Sequence, residues 1–303
     1  MSEIIELWEK PALGKYMIAG WHQWADAGEV SSGLLSYLVK STRANQIGRI
    51  KPNGFYLFQI PGTHHLLRPT IKLEKGHREW LQQKENKIFH SDNDEHGFFL
   101  FLGEEPCQNQ ELYAETFFDI VEELGITKIA IVAGVYGAMP YDKDRNISCV
   151  YSLPGMKEQL SRYAVKFSNY EGGATISMYL ADRAEHRGIQ LFRFCAFVPS
   201  FDFSQLSALV PAMAIERDFK AWYDIMVRLN HIFDLDLDLT DLEKRSNDLV
   251  SAWDTRIDQM IRTMPQLEIA EYIEKMNDGF TEISFEPLSD IWKEALGNLF
   301  DDI

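Results

Sequence analysis

The sequence predicts an α/β fold on a largely parallel sheet, followed by a helical region. Three observations carry this reading. Residues 129–133 are apolar, and 191–198 are apolar but for Arg193, both without alternation, the pattern of strands buried on both faces. Segments with helical periodicity, two of them closed by glycine, lie between the strand candidates, as βαβ units require. After Phe203 the strand-like runs stop.

Taken in order, residues 15–20 form a short apolar run ending at Gly20. A helix is predicted over 26–39, because Val30, Leu34, Tyr37 and Leu38 fall on one face. Asp26 and Glu29 have the spacing of a capping box. Residues 55–60 read as β, and 62–93 are polar with no assignment. Residues 97–102 read as a strand. A helix follows over 110–124, with Leu112, Phe117, Ile120, Val121 and Leu124 as its apolar set and Gly125 as its stop. The apolar strand 128–133 leads into a glycine- and proline-bearing loop, then a strand at 147–151, a helix at 173–186 closed by Gly188, and the strand 191–198.

Pro211 suits the first turn of a helix running to about Leu229. Thr240 and Glu243 repeat the capping-box spacing and open a helix to about Met264; Pro265 breaks it, and 266–276 restarts. The organisation expected is therefore an α/β domain over 1–210 and a helical region over 211–303 packed on it.

At 303 residues and 46% apolar composition, the chain can bury a sizeable core. Its net charge is -16, and residues 234–303, with 18 acidic against 6 basic, hold 12 of those charges. Such a surface repels phosphate backbones and anionic membranes, so neither nucleic acid nor membrane is expected as a partner. No run of about 18 apolar residues exists to span a bilayer. Residues 1–10 hold four charges, which is not the pattern of a signal peptide. Cys107, Cys149 and Cys195 stand far apart and form no CxxC. They read as free thiols in a reducing, cytoplasmic compartment, with no metal site.

Several chemistries lack their signature. There is no phosphate loop, Gly-x-Gly-x-x-Gly, Gly-x-Ser-x-Gly or His-Glu-x-x-His. No cofactor is expected, and ATP hydrolysis or ATP-dependent ligation is not expected. Asp92, Asp94, His96 and Gly97 match a calcium loop loosely, but its twelfth place is Gly103; Asp234, Asp236 and Asp238 are followed by Leu239 where glycine is needed. Both read as solvated turns.

Four stretches lie where strands meet loops or helices: Gly20-Trp21-His22-Gln23-Trp24-Ala25-Asp26-Ala27-Gly28, Gly134-Val135-Tyr136-Gly137-Ala138-Met139-Pro140-Tyr141, Tyr170-Glu171-Gly172-Gly173-Ala174-Thr175-Ile176, and Phe197-Val198-Pro199-Ser200-Phe201. Parallel α/β sheets place their crevices outside such strand ends. Candidate ligand-binding residues are Trp21, Asp26, Gly28, Gly134, Tyr141, Glu171 and Gly172. The glycines would admit backbone donors to a ligand, and Trp21 and Tyr141 would stack on a flat group. Arg145 would supply compensating charge. Capping by Asp26 and packing by the glycines and tryptophans account for the same residues. No nucleophile–base pair stands out, so catalytic residues are unassigned.

In order and spacing these stretches resemble the PAC2 (proteasome assembly chaperone 2) family, over about residues 14–275. The first is similar to a Gly-Trp-x-Asp-Ala-Gly element with His22, Gln23 and Trp24 added. Departures are Tyr141-Asp142-Lys143 where the family often has His-Thr-Arg, Gly173 for proline and Phe201 for tyrosine. The resemblance implies a three-layer αβα sandwich related to nucleoside phosphorylases, with a C-terminal helical appendage. It implies an assembly chaperone or protein-interaction scaffold; the alternative is a small-ligand binder or enzyme using the strand-end loops. It also implies a homo-oligomer, such as a trimer, for which Phe201, Phe203 and Trp222 would offer contact surface. The final residues, Phe300-Asp301-Asp302-Ile303, place Asp302 where proteasome-binding tails carry tyrosine, an argument against tail docking.

Overall fold

The computed structural model describes residues 4–52, 54–58, 68–92, 97–203 and 212–285. The apolar runs form strands as the pattern requires. At the centre lie β2 (Tyr16–His22), β7 (Phe98–Glu104), β8 (Lys128–Gly137) and β11 (Gln190–Phe201), all parallel, in the order β7-β2-β8-β11. One flank continues through β6 (Asn86–Ser91), β3 (Asn45–Ile50) and β1 (Ile5–Leu7), each antiparallel to its neighbour. On the other flank β9 (Ile147–Tyr151) runs antiparallel to β11 and carries β10 (Lys166–Phe167). The sheet is thus parallel at its centre, with β6 and β9 joining it antiparallel on either flank and β10 parallel to β9 at one edge.

Because side chains alternate across a strand, each central strand feeds two cores. Ile18, Ala130, Val132, Phe192 and Phe194 face one side, with α1 (Ser32–Ser41) and α5 (Phe219–Phe233). Met17, Ala19, Ile129, Ile131 and Leu191 face the other, with α2 (Gln110–Glu123) and α4 (Ile176–Arg187). The result is the three-layer αβα sandwich. In α1, Leu34, Leu35 and Leu38 are fully or almost fully buried, each worth about 2 kcal/mol of transfer free energy. Gly125 and Gly188 end their helices with φ of 65° and 69°, as left-handed caps favour.

A short helix α3 (Met156–Ser161), α6 (Thr240–Thr263) and α7 (Ile269–Asp278) complete the helices among the described residues. α6 joins the α1/α5 core through Leu242, Trp253, Ile257 and Met260. Among the described residues no helix is long and apolar enough to cross a membrane.

Several expectations need correction. Strands do not stop after Phe203: β12 (Met213–Ala214) pairs antiparallel with Ser200 and Phe201. That strand breaks the all-helical reading of the region after 211, and the helix expected at Pro211 begins at Phe219, with Pro211 outside the described residues. Residues 55–58 are turn rather than strand. The polar stretch 62–93 contains β6 and a separate hairpin, β4 (Thr70–Glu74) and β5 (His77–Gln82). Neither capping box forms. The Asp26 carboxylate accepts from Ser31 and Ser32, the Glu29 amide donates to the Asp26 backbone carbonyl instead (3.1 Å), and the Thr240 amide donates to Asp238 (2.9 Å). Phe201, Phe203 and Trp222 are 0, 0 and 3% exposed, so they fill this chain's own core and offer no contact surface. The C-terminal residues 300–303 and part of the first acidic run, Asp94 and His96, lie outside the described residues.

Candidate functional site

The strand-end region is organised by Asp26. A turn of 3₁₀-helix, Ala27–Glu29, with Gly28 at φ 64°, separates β2 from α1. It carries the chain back so that the Asp26 carboxylate meets the start of α1. One oxygen accepts from the Ser31 and Ser32 amides (2.7 and 3.0 Å), the other from the Ser32 hydroxyl (2.6 Å). The orphan donors of the helix end are thereby satisfied by a neighbouring carboxylate. Burial pushes the Asp26 carboxyl above its ordinary value, against those hydrogen bonds.

The turn lies directly on the central strand. Asp26 bridges to Gly134, whose amide donates to the Ala25 carbonyl (3.0 Å). A Cβ on Gly134 would collide with the Ala27 carbonyl oxygen, and one on Gly28 would sit 2.8 Å from Asp218 Cβ and 3.0 Å from Val198. The loops after β2 and β8 and the end of β11 do converge, but into packed contact. Gly134 and Val198 are themselves strand residues, because β8 and β11 run on to Gly137 and Phe201.

The centre of this convergence is a buried ion pair. Arg145 and Asp218 have wholly inaccessible side chains and pair at 2.8 and 3.2 Å. The Arg145 guanidinium also donates to the Lys143 and Tyr141 carbonyls (2.7 and 3.0 Å), and its amide to Asp224 (2.7 Å). Asp218 caps α5, accepting from the Lys220 and Ala221 amides (3.1 and 3.0 Å). Arg145 therefore locks the loop after β8 to the helix beginning at Phe219. It supplies no charge to an open site.

The remaining candidates go elsewhere. Trp21 is fully buried among Phe101 and Phe117, with its indole N–H on the Tyr113 hydroxyl (2.8 Å), so it cannot stack on a ligand. Tyr141 packs against Phe201 and Trp253 and donates to Asp254 of α6 (2.8 Å). Glu171 and Gly172 sit in an exposed loop before α4, where a Cβ on Gly172 would collide with the Tyr170 hydroxyl.

Asp26 alone of the seven lines a cleft of about 750 Å³ between α1 and the C-terminal helices, with His22, Lys40, Arg217 and Arg245. His22 sits 3.3 Å from Glu104, and that hydrogen bond raises its pKa. Glu29 pairs with Arg217 and Asp241 with Arg245 (both 2.7 Å), so the acidic groups of the cleft are already partnered. The two buried thiols are held protonated: burial pushes Cys149 up to about 12 and raises Cys195. Among the described residues no cluster of three His, Cys, Asp or Glu could hold a metal ion.

One feature that the sequence reading passed over is an aromatic rim at the same end of the parallel strands. Trp24, Tyr170 and Phe197 are 76, 53 and 36% exposed. Phe197 follows Cys195 and pairs with Val135, on the face where Ala25, Ala133 and Cys195 make a small apolar cluster. A Cβ on Gly173 would stand 3.9 Å from the Trp24 ring. Glu105, just past β7, ties the rim together, accepting from the Trp24 amide (3.0 Å) and from the Ile176 amide that opens α4 (2.8 Å).

Solved structures share this architecture. A proteasome-assembly chaperone homologue of Mycobacterium tuberculosis is similar at 21% identity and TM-score 0.69, over 85% of this chain and 99% of that one. A PAC2 family protein of Streptomyces avermitilis is similar at 22% identity and TM-score 0.66, over 85% and 98%. An archaeal proteasome activator of Pyrococcus furiosus is similar at 15% identity and TM-score 0.57, over 83% and 97%. No curated protein matches the sequence at a significant level. The PAC2 family model matches residues 21–259, most of the chain, and the protein belongs to that family.

Proposed function

We propose that this PAC2-family protein works through its surface, as an assembly chaperone or protein-interaction scaffold, in the cytoplasm and as a homo-oligomer. The observation that carries the reading is the aromatic rim: Trp24, Tyr170 and Phe197 stand exposed at the carboxyl end of the sheet while the strand-end loops beneath are packed shut. Exposed aromatic groups with backbone held from below are the composition of protein-binding hot spots. The assembly-chaperone and activator relatives share the fold, which is consistent with the reading. A second reading, binding of a small ligand, is favoured by the cleft that holds Asp26 and His22.

The test is affinity purification of the tagged full chain from its own cells, beside the double variant Trp24→Ala/Tyr170→Ala. The reading expects a protein recovered in stoichiometric amount with the wild type and lost with the variant. Recovery unchanged by the variant would sink it.

A further inference from the structure

Three arginines are buried among the described residues, and two of them are satisfied within the chain. Arg145 pairs with Asp218, and Arg228 donates to the carbonyls of Tyr163, Ala164 and Asp224. Arg193 differs. It is 5% exposed and has no carboxylate partner among the described residues, where its one hydrogen bond runs from Nε to the Ser177 hydroxyl (3.0 Å). The two terminal nitrogens bond no described residue and keep contact with solvent. A guanidinium is always charged, and holding one out of water without a counter-charge is strongly unfavourable. Its terminal N–H groups form a fork that matches a carboxylate.

Alternation along β11 sets where the fork lies. Arg193 follows Leu191 by two, so it faces α4, whereas the packed contacts of Gly28, Gly134 and Val198 lie toward α1. Ser177 holds Nε at the first turn of α4. Toward the carboxyl end of β11 come Cys195 and then Phe197, paired with Ala133 and Val135 of β8. Ala25, Ala133 and Cys195 make a small apolar floor there, below the exposed rings of Trp24, Tyr170 and Phe197. Burial raises the Cys195 thiol and the Arg193 charge opposes it, which sets the charge beside that floor. Asn146 adjoins Phe197, its carbonyl accepting from the Phe197 amide (3.0 Å), and its side-chain Oδ1 is buried with no partner among the described residues. Glu105 closes the start of α4 but does not neutralise Arg193: its oxygens accept from the Trp24 and Ile176 amides, and it forms no ion pair with the guanidinium. We infer that the recess beneath the aromatic rim receives the free C-terminus of a partner protein, its carboxylate on the Arg193 fork, its last N–H toward Asn146 and its terminal side chain on the apolar floor. A chain end suits the place better than an aspartate or glutamate within a chain, because a recess this closed admits one length of backbone and not two. This inference rests on the protein-interaction reading of the rim and names what the partner presents.

The experiment titrates the full chain with N-acetyl-alanyl-leucine, with its C-terminal amide, and with acetate, and follows binding by saturation-transfer NMR. The free acid should bind about tenfold or more tightly than the amide or acetate. Arg193→Met should weaken the acid to the level of the amide. Its urea midpoint should stay at or above that of the wild type, because an apolar side chain replaces an uncompensated charge. Arg193→Lys keeps the charge without the fork and should retain part of the binding. Acid and amide binding alike, or neither binding at concentrations on the order of tens of millimolar, overturns the site. Acetate matching the dipeptide acid overturns the C-terminal assignment. The comparison of acid with amide uses the wild type alone, so it stands even where a variant fails to fold. In the affinity purification, a partner lost with Trp24→Ala/Tyr170→Ala but kept with Arg193→Met overturns this inference and leaves the rim reading standing.

Discussion

Removing the carboxylate of Asp218 should be among the most damaging single changes to this chain. Asp218→Ala strands the Arg145 guanidinium, which has no access to water. Breaking a buried pair in this way costs about 3–5 kcal/mol. The change also removes the N-cap of α5, worth about 1 kcal/mol. The sum, about 4–6 kcal/mol, is a large part of the stability of an ordinary domain. Urea unfolding followed by tryptophan fluorescence reads it directly. Asp218→Asn keeps a capping oxygen, so its difference from Asp218→Ala measures the cap, about 1 kcal/mol. Arg145→Met/Asp218→Leu replaces both charges with apolar groups and should cost clearly less than the sum of the single changes, a coupling of about 2 kcal/mol or more. A shift of less than about 1 kcal/mol in Asp218→Ala would refute the claim that this pair holds the loop to the helix.

Two further outcomes follow from buried groups. Burial raises the Asp224 carboxyl to about 6, whereas an aspartate in the unfolded chain titrates near 3.9. Between those values the folded state holds the extra proton, so stability should fall as pH rises from about 4 to 6. Asp224→Asn should remove that slope in unfolding free energies measured across the window, and an opposite slope in the wild type would refute the assignment. For the thiols, Cys107 is exposed while Cys149 and Cys195 are buried. Ellman titration should find one reactive thiol in the native protein and three after denaturation, and a second fast native thiol would refute the burial.

Much of the centre of the fold was legible because its residues have one environment. β8 and β11 are flanked by helices on both faces, so their apolar runs carry no alternation and read as buried strands. α2 announces itself through periodicity, and α4 and α6 through their glycine and proline stops. The edges were harder. β3, Asn45–Ile50, mixes polar residues with a glycine, and the hairpin 70–82 has no buried face to impose a pattern. The glycine-bearing end of β8 read as a loop because glycine signals a turn, whereas here Gly134 lets the Ala25–Glu29 turn lie on the strand. Asp26 was correctly seen as a helix cap, but the inserted 3₁₀ turn moved its partners from Glu29 to Ser31 and Ser32. Arg145 was misplaced because nothing near it in the chain points to Asp218, 73 residues away. Phe201, Phe203 and Trp222 were misjudged because an aromatic residue looks the same in sequence whether a helix covers it or not.

The bridge made by Glu105 bears on what this fold can receive. In many α/β proteins the first amides of a helix that follows a glycine-bearing loop are a seat for phosphate. Here that seat, at the start of α4, is occupied by the chain's own carboxylate, which also holds the Trp24 amide. An incoming anion would compete with a tethered group that never diffuses away, at an effective concentration on the order of millimolar or more. Its success would release Trp24 from its anchor. The loop before α4 is thus a lock already holding its own key, and the glycines at 172 and 173 serve the aromatic rim above it rather than a nucleotide below.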